Sequence, residues 1–234
     1  MRGKICLVTG ASRGIGRAIL ETFSKQEALV IGTYNASRAK AESLCMDHRC
    51  EMHKVDTGKT DEIRILMDHI RNVHGRLDVI VNNAGFHEGM ELSKMKKGQL
   101  AKMFDVNFFG PVWIMRYAQD LLTKNSSVVN MASNGGLRGG TNAPHYAAAK
   151  SALISWTKSM SKLLAPKTRV NSIAPGMIST DMFPKPDDVD VSSVPLGRLG
   201  TAQEVAHAAW FLADHKLSSY ITGQTLVVDG GQYV

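Results

Sequence analysis

The stretch Thr9 to Gly16, TGASRGIG, constrains this chain more than any other. It follows ICLV (Ile5 to Val8), an apolar run of strand length, and leads into RAILETFSK, which reads as a helix. A strand, a glycine-rich turn and a helix, in that order, leave the unpaired amides of the first helical turn aimed at the turn, where they suit a phosphate. Gly10 allows the tight turn, Gly14 the close approach of backbone to a pyrophosphate, and Gly16 the packing of helix against strand. The spacing is G-x-x-x-G-x-G and departs from the G-x-G-x-x-G of the general dinucleotide fingerprint.

The rest of the chain repeats the alternation. Strands are expected at Ala28–Tyr34, Glu51–Asp56, Leu77–Gly85 (running into a turn), Ser126–Ser133, Thr168–Gly176 and Gln224–Gly231. Helices are expected in ASRAKAESLCMDH, at Thr60–Gly75, across Gln99–Leu122, across Ala143–Leu164 and at Thr201–Ala213. Strand–helix alternation of this kind predicts an α/β doubly wound Rossmann fold, a seven-stranded parallel sheet with helices on both faces. One domain covering residues 1–234 is expected, with Met182 to Val194 as a polar loop. Ligands in such sheets sit at the carboxyl ends of the strands, so the residues just after each strand carry the functional reading.

Composition narrows the classes. Three cysteines, Cys6, Cys45 and Cys50, lack C-x-x-C spacing and are expected as free thiols in a reducing compartment; no metal site is expected. No apolar run approaches the roughly 20 residues of a membrane span. A soluble, cytoplasmic protein is expected. The formal net charge of +7 comes from scattered Lys and Arg, so no nucleic-acid partner is expected, and the charge suits an acidic partner or phosphorylated substrate.

The strand ends carry a linked set: TGASRGIG, Asp56, NNAG (Asn82 to Gly85), Asn107 in DVNFFG, Ser133, YAAAK (Tyr146 to Lys150), APGMISTDM (Ala174 to Met182) and VDGG (Val228 to Gly231). In this order and spacing the chain resembles the short-chain dehydrogenase/reductase family over essentially its whole length. Within it, TGASRGIGRAI, VPLGRLG and YITGQTLVVDGG are most similar to the 3-oxoacyl-[acyl-carrier-protein] reductases. The TKNSS turn before the fifth strand departs from the pattern, lacking the glycine that many relatives have there.

Tyr146 and Lys150, four apart on a helix, share one face. An ammonium at about 4 Å in an effective dielectric near 20 contributes roughly 4 kcal/mol, an upper bound of about three pKa units for the phenol. The resemblance implies that Tyr146 is the proton donor to a carbonyl reduced by hydride from a nicotinamide, that Ser133 binds the same oxygen, and that Asn107 holds a water feeding protons to Lys150. It further implies cofactor contacts from Gly10, Ser12, Arg13, Gly14, Ile15 and Gly16 in the loop. Others fall to Asp56 and Thr57 near the adenine, Asn83, Ala84 and Gly85 beside the adenosine ribose, and Tyr146 and Lys150 themselves. Pro175, Gly176, Ile178 and Thr180 would serve the nicotinamide and diphosphate.

GTYNASR has no acid from Gly32 to Arg38, and a carboxylate there would repel a 2'-phosphate; NADP(H) is therefore expected, with Arg13 and Arg38 as the phosphate ligands. His145 is a candidate for the substrate pocket. Lys124 and Lys167 are candidates for docking an acyl-carrier protein at the active-site mouth, as the resemblance places such groups. Family precedent implies a homotetramer packed through the two long helices. Two other readings stay open: a secondary-alcohol or sugar dehydrogenase, and a nucleotide-sensing protein without catalysis.

Overall fold

The computed structural model describes residues 1–36, 38–180 and 189–233. Its sheet joins β1 (Ile5–Val8), β2 (Leu29–Tyr34), β3 (Cys50–Lys54), β4 (Leu77–Asn82), β5 (Leu122–Met131), β6 (Thr168–Pro175) and β9 (Thr225–Val228). All seven strands are parallel, as the alternation predicts, and their order is β3-β2-β1-β4-β5-β6-β9. The order reverses between β1 and β4, which opens a crevice at their carboxyl ends. A second, two-stranded ladder of β7 (Ile178–Ser179) and β8 (Gly200–Thr201) was not legible in the sequence, being too short to show a period.

Neighbouring residues on each strand face opposite layers, and two apolar cores result. Cys6, Val8, Val79, Val81 and Val129 pack with Ile19 and Phe23 of α1 (Gly14–Lys25) and Val205 and Leu212 of α8 (Ala202–Ala213). Leu7, Ile80 and Val128 pack on the other face with Ile63 and Ile70 of α3 (Thr60–Val73) and Ile114 of α5 (Gly110–Ala118). Both faces being covered explains why the central strands read as continuous apolar runs. The amino end of the sheet is pinned by buried Asp78, which accepts from the Ile5 amide at 2.9 Å, Lys4 at 3.2 Å and Thr123 at 3.0 Å.

Two expected elements differ. The helix expected over Gln99–Leu122 is α4 (Lys97–Phe104), one π-helical stretch (Asp105–Phe109) and α5, ending at Ala118. β5 begins at Leu122, four residues before its expected start, with a register shift opposite Leu77/Val79. Asn125 takes φ 63° there and hands its amide to the Lys167 carbonyl. Asparagine is among the few residues that tolerate this left-handed backbone, which accounts for the missing glycine in TKNSS. The second long helix is α7 (Pro144–Leu163). Part of the loop Met182–Val194, residues 182–188, lies outside the described residues.

Candidate active site

The phosphate loop is fixed from the neighbouring strand. Thr9 Oγ1 accepts from the amides of Asn83 and Ala84, both at 2.9 Å. The Asn83 side-chain amide donates to the Thr9 carbonyl at 2.9 Å and the Gly10 carbonyl at 3.3 Å. Asn83, expected as a wall beside the ribose, thus holds the loop with its side chain. A Cβ on Gly16 would stand 2.2 Å from the Gly10 carbonyl oxygen, so helix and loop touch backbone to backbone. Gly14 has φ +53°, and a Cβ there would meet nothing closer than Thr180 at 3.5 Å, which leaves an open approach over the helix end. No side chain caps the first turn of α1 and no acid lies in it. Ser12 is buried under the loop, Ile15 is half-buried and Arg13 exposed.

Around this cradle, Asn35 and Ala36 are exposed at the tip of β2, where no acid stands. Arg38 starts α2 (Arg38–Asp47) and pairs with Glu42 at 2.7 Å. Asp56 follows β3 and uses one carboxylate oxygen on the Gly58 amide at 3.0 Å, while Thr57 is buried beside it. From β6, the Gly176 amide donates to the Val228 carbonyl at 3.0 Å, Ile178 is buried, and Thr180 reaches Gly14. An uncapped helix end, an open glycine and an acid-free β2 tip fit an anionic dinucleotide.

The chemistry-bearing side chains meet beside it. Ser133, two residues past β5, accepts from the Gly135 amide at 3.1 Å through its Oγ and stands near enough to the Tyr146 phenol to favour its ionised form. Lys150 is buried and donates to the Met131 carbonyl at 2.8 Å. Asn107 is fully buried in the π-helical stretch, its Nδ2 donating to the carbonyls of Phe86 and Met103 at 3.1 Å each. Its Oδ1 has no partner and lies where a Cβ on Gly85 would come within 2.7 Å. The extra residue of the π turn is what aims Asn107 inward, a distortion common at functional sites.

Electrostatics correct one expectation. Burial pushes the Tyr146 phenol up, only partly opposed by Ser133. The Lys150 ammonium sits over the ring face, 5.6 Å from its centroid, and is turned to Met131, so it does not lower the phenol as the helical spacing suggested. Burial also lowers Lys150 itself, to about 8.

Sequence reasoning missed His87. Its ring meets Tyr146 edge to face at 5.1 Å, and burial followed by the nearby His145 lowers its pKa. It stands two residues after NNAG, so the available signal was its position after β4. His145 is buried, with neither ring nitrogen bonded. A cleft of about 500 Å³ near it is lined by Gly89, Met90, Glu91, Leu92, Thr141, Asn142 and Pro144.

Lys124 and Lys167 require a second correction. They lie at the amino ends of β5 and β6, the opposite end of the sheet from Ser133 and Tyr146, and do not flank the mouth of their own chain's site. At about 3.3 Å per residue, β5 alone separates the two ends by roughly 25 Å.

Comparison with known proteins decides the family. The sequence model described as enoyl-(acyl carrier protein) reductase matches residues 10–232. The chain belongs to the short-chain dehydrogenase/reductase family. Among curated members, the 3-oxoacyl-[acyl-carrier-protein] reductase FabG of Thermotoga maritima is 36% identical over 243 residues, covering 99% of this chain and 98% of that one. The Escherichia coli protein of the same name is 37% identical over 242 residues, with 99% and 98% covered. A solved structure from Brucella melitensis titled a short-chain dehydrogenase/reductase of the glucose/ribitol dehydrogenase type superposes with TM-score 0.94 at 30% identity, covering 100% of this chain and 98% of that one. The ligand-free aldohexose dehydrogenase of Thermoplasma acidophilum superposes with TM-score 0.89 at 32% identity, covering 99% and 94%. This short-chain dehydrogenase/reductase is therefore an oxidoreductase of CH–OH and keto groups that uses a nicotinamide cofactor. No helix among its described residues is long and apolar enough to cross a membrane.

Proposed function

We propose that the chain acts as one unit to reduce, with NADPH, the keto group of a 3-oxoacyl thioester carried by an acyl-carrier protein in the cytoplasm. The observation that carries this reading is the grouping of Ser133, Tyr146 and buried Lys150 at the carboxyl end of the sheet, beside a helix N-terminus that no side chain caps. The dinucleotide supplies hydride when bound. Tyr146, kept protonated by burial, gives its proton to the carbonyl oxygen, and Ser133 Oγ holds that oxygen in place. Lys150 supplies positive charge beneath the phenol ring, and the partnerless Asn107 Oδ1 offers a water site from which Lys150 is resupplied with protons. For the cofactor, Arg13 at the N-cap of α1 and the acid-free β2 tip favour the 2'-phosphate. Arg38, engaged by Glu42, is the weaker candidate.

A second reading, a sugar or secondary-alcohol dehydrogenase, is favoured by the names of the two structural neighbours. Initial rates with an acetoacetyl thioester, a crotonyl thioester, a simple ketone and an aldohexose, each with the phosphorylated and unphosphorylated cofactor, separate the readings. The expected order puts acetoacetyl thioester with NADPH first; a dominant aldohexose rate overturns it. Tyr146→Phe is expected to lower turnover by about 10²–10⁴ while keeping NADPH binding. Cofactor binding by the wild type without turnover of any of these substrates would instead indicate a sensing protein.

A further inference from the structure

Away from the site, three histidines gather on one carboxylate. Glu51 and His53 alternate on β3 and so point to the same face of the sheet's outer strand, while His69 lies in α3 and His74 caps its end. From Glu51 Oε1, the Nε2 atoms of His74, His53 and His69 lie at 2.8, 3.4 and 3.9 Å. The ligating atoms of Glu51, His53 and His69 all fall within 4.8 Å of one another. The Nε2 atoms of His53 and His69 are buried from solvent, and neither makes a hydrogen bond. Buried imidazole nitrogens without partners are costly, and two of them facing the same carboxylate mark a place where a cation would complete the set.

We propose that Glu51, His53 and His69 form a binding site for a divalent transition metal, zinc being the best match, with His74 positioning the carboxylate. Zinc–nitrogen bonds of about 2.0–2.1 Å place neighbouring ligands about 3.3 Å apart in a tetrahedron, so the observed separations close with small side-chain rotations. Two imidazoles among three ligands exclude calcium and magnesium, which take oxygen sets, and suit zinc, nickel or copper. The His74–Glu51 hydrogen bond supplies the outer support that ligating carboxylates need. The fourth position is left to water. No spacing motif announces this site, because its ligands come from a strand and from a helix that follows it in the chain. The metal would tie β3 to α3 at the sheet edge, far from the reducing chemistry.

The test uses the untagged full chain, stripped with a chelator and titrated calorimetrically with zinc chloride. One equivalent binding in the micromolar range or tighter is expected, with Tm raised by zinc. His53→Asn with His69→Asn is expected to abolish that equivalent and the Tm response; His74→Gln is expected to weaken binding about 10–100-fold. Cobalt loaded in place of zinc should give visible d–d bands without the charge-transfer band of a thiolate, a readout on the wild type that stands even where a variant folds poorly. Absence of binding, binding that survives the double histidine variant, or a thiolate band pointing to Cys45 and Cys50 would each overturn the proposal.

Discussion

Lys150 shows how one buried residue links stability to chemistry. Its pKa is lowered by burial from 10.5 to about 8, so the charged form is disfavoured in the fold. The sign follows from linkage: the fold gains fully from neutral lysine above 10.5, and that gain is lost as pH falls through about 8. At pH 7 the ammonium therefore costs stability, and Lys150→Met is expected to make the unliganded protein more stable by about 2 kcal/mol in urea unfolding, after the orphaned Met131 carbonyl is allowed for. The same variant should lose reductase activity. Activity has a matching signature: kcat/KM for keto reduction should fall above about pH 8 as Lys150 loses its proton, and Lys150→Arg should move that limb upward. A limb that stays put in Lys150→Arg assigns the titration elsewhere. At this scale the sequence displayed Tyr146, Lys150 and Ser133 through spacing, but not the direction of the ammonium, since helical periodicity gives a shared face and says nothing of what lies beneath it. His87 and the bare Asn107 Oδ1 needed the folded chain for the same reason.

At the scale of elements, the glycine loop divides into parts with different duties. Gly16→Ala would drive a Cβ into the Gly10 carbonyl and the Asn83 amide, at 2.2 and 2.5 Å, and backbone has nowhere to move. A loss of about 3 kcal/mol in unfolding free energy is expected. Gly14→Ala meets no such obstacle and should cost only about 1 kcal/mol for its left-handed backbone, while its methyl group occupies the anion's approach. Thermal melts and NADPH titrations of the two variants should therefore rank them in opposite order. Strands β1 and β4 were legible as apolar runs of strand length, and helices α1 and α3 through their apolar period. The π-helical stretch was not, because one added residue shifts the helical phase without leaving a breaker in DVNFF. The early start of β5 was hidden by TKN, polar residues that read as a turn and are absent from the strand ladder on either side.

For the whole molecule, the arrangement of ends and faces decides which surfaces serve which purpose. Phe109 at the junction before α5, Trp113 on α5 and Leu163 on α7 are exposed, and the last two line a hollow of about 190 Å³ that reaches Trp156. If copies of the chain meet through the long helices, Trp113→Glu with Leu163→Glu lowers the mass seen by light scattering; an unchanged mass removes these helices from the interface. Lys124 and Lys167 stand at the amino end of the sheet, so Lys124→Glu with Lys167→Glu should leave turnover of a small acetoacetyl thioester unchanged. A loss confined to carrier-bound substrate would mean that the pair serves the site of a neighbouring subunit. The doubly wound parallel sheet was legible from the alternation, whereas the distance between the lysines and the site was not: spacing from Ser133 and Tyr146 counts residues, and strand direction decides to which end they go.

The backbone contact between Gly10 and Gly16 also tells a protein engineer where to work. Substitution of Gly10 or Gly16 should return damaged enzyme, since both are held by close contact. Asn35 and Ala36, exposed at the tip of β2, carry no such burden. A programme to change cofactor preference should spend its library on those two positions and on Arg13, and leave the loop's glycines as found.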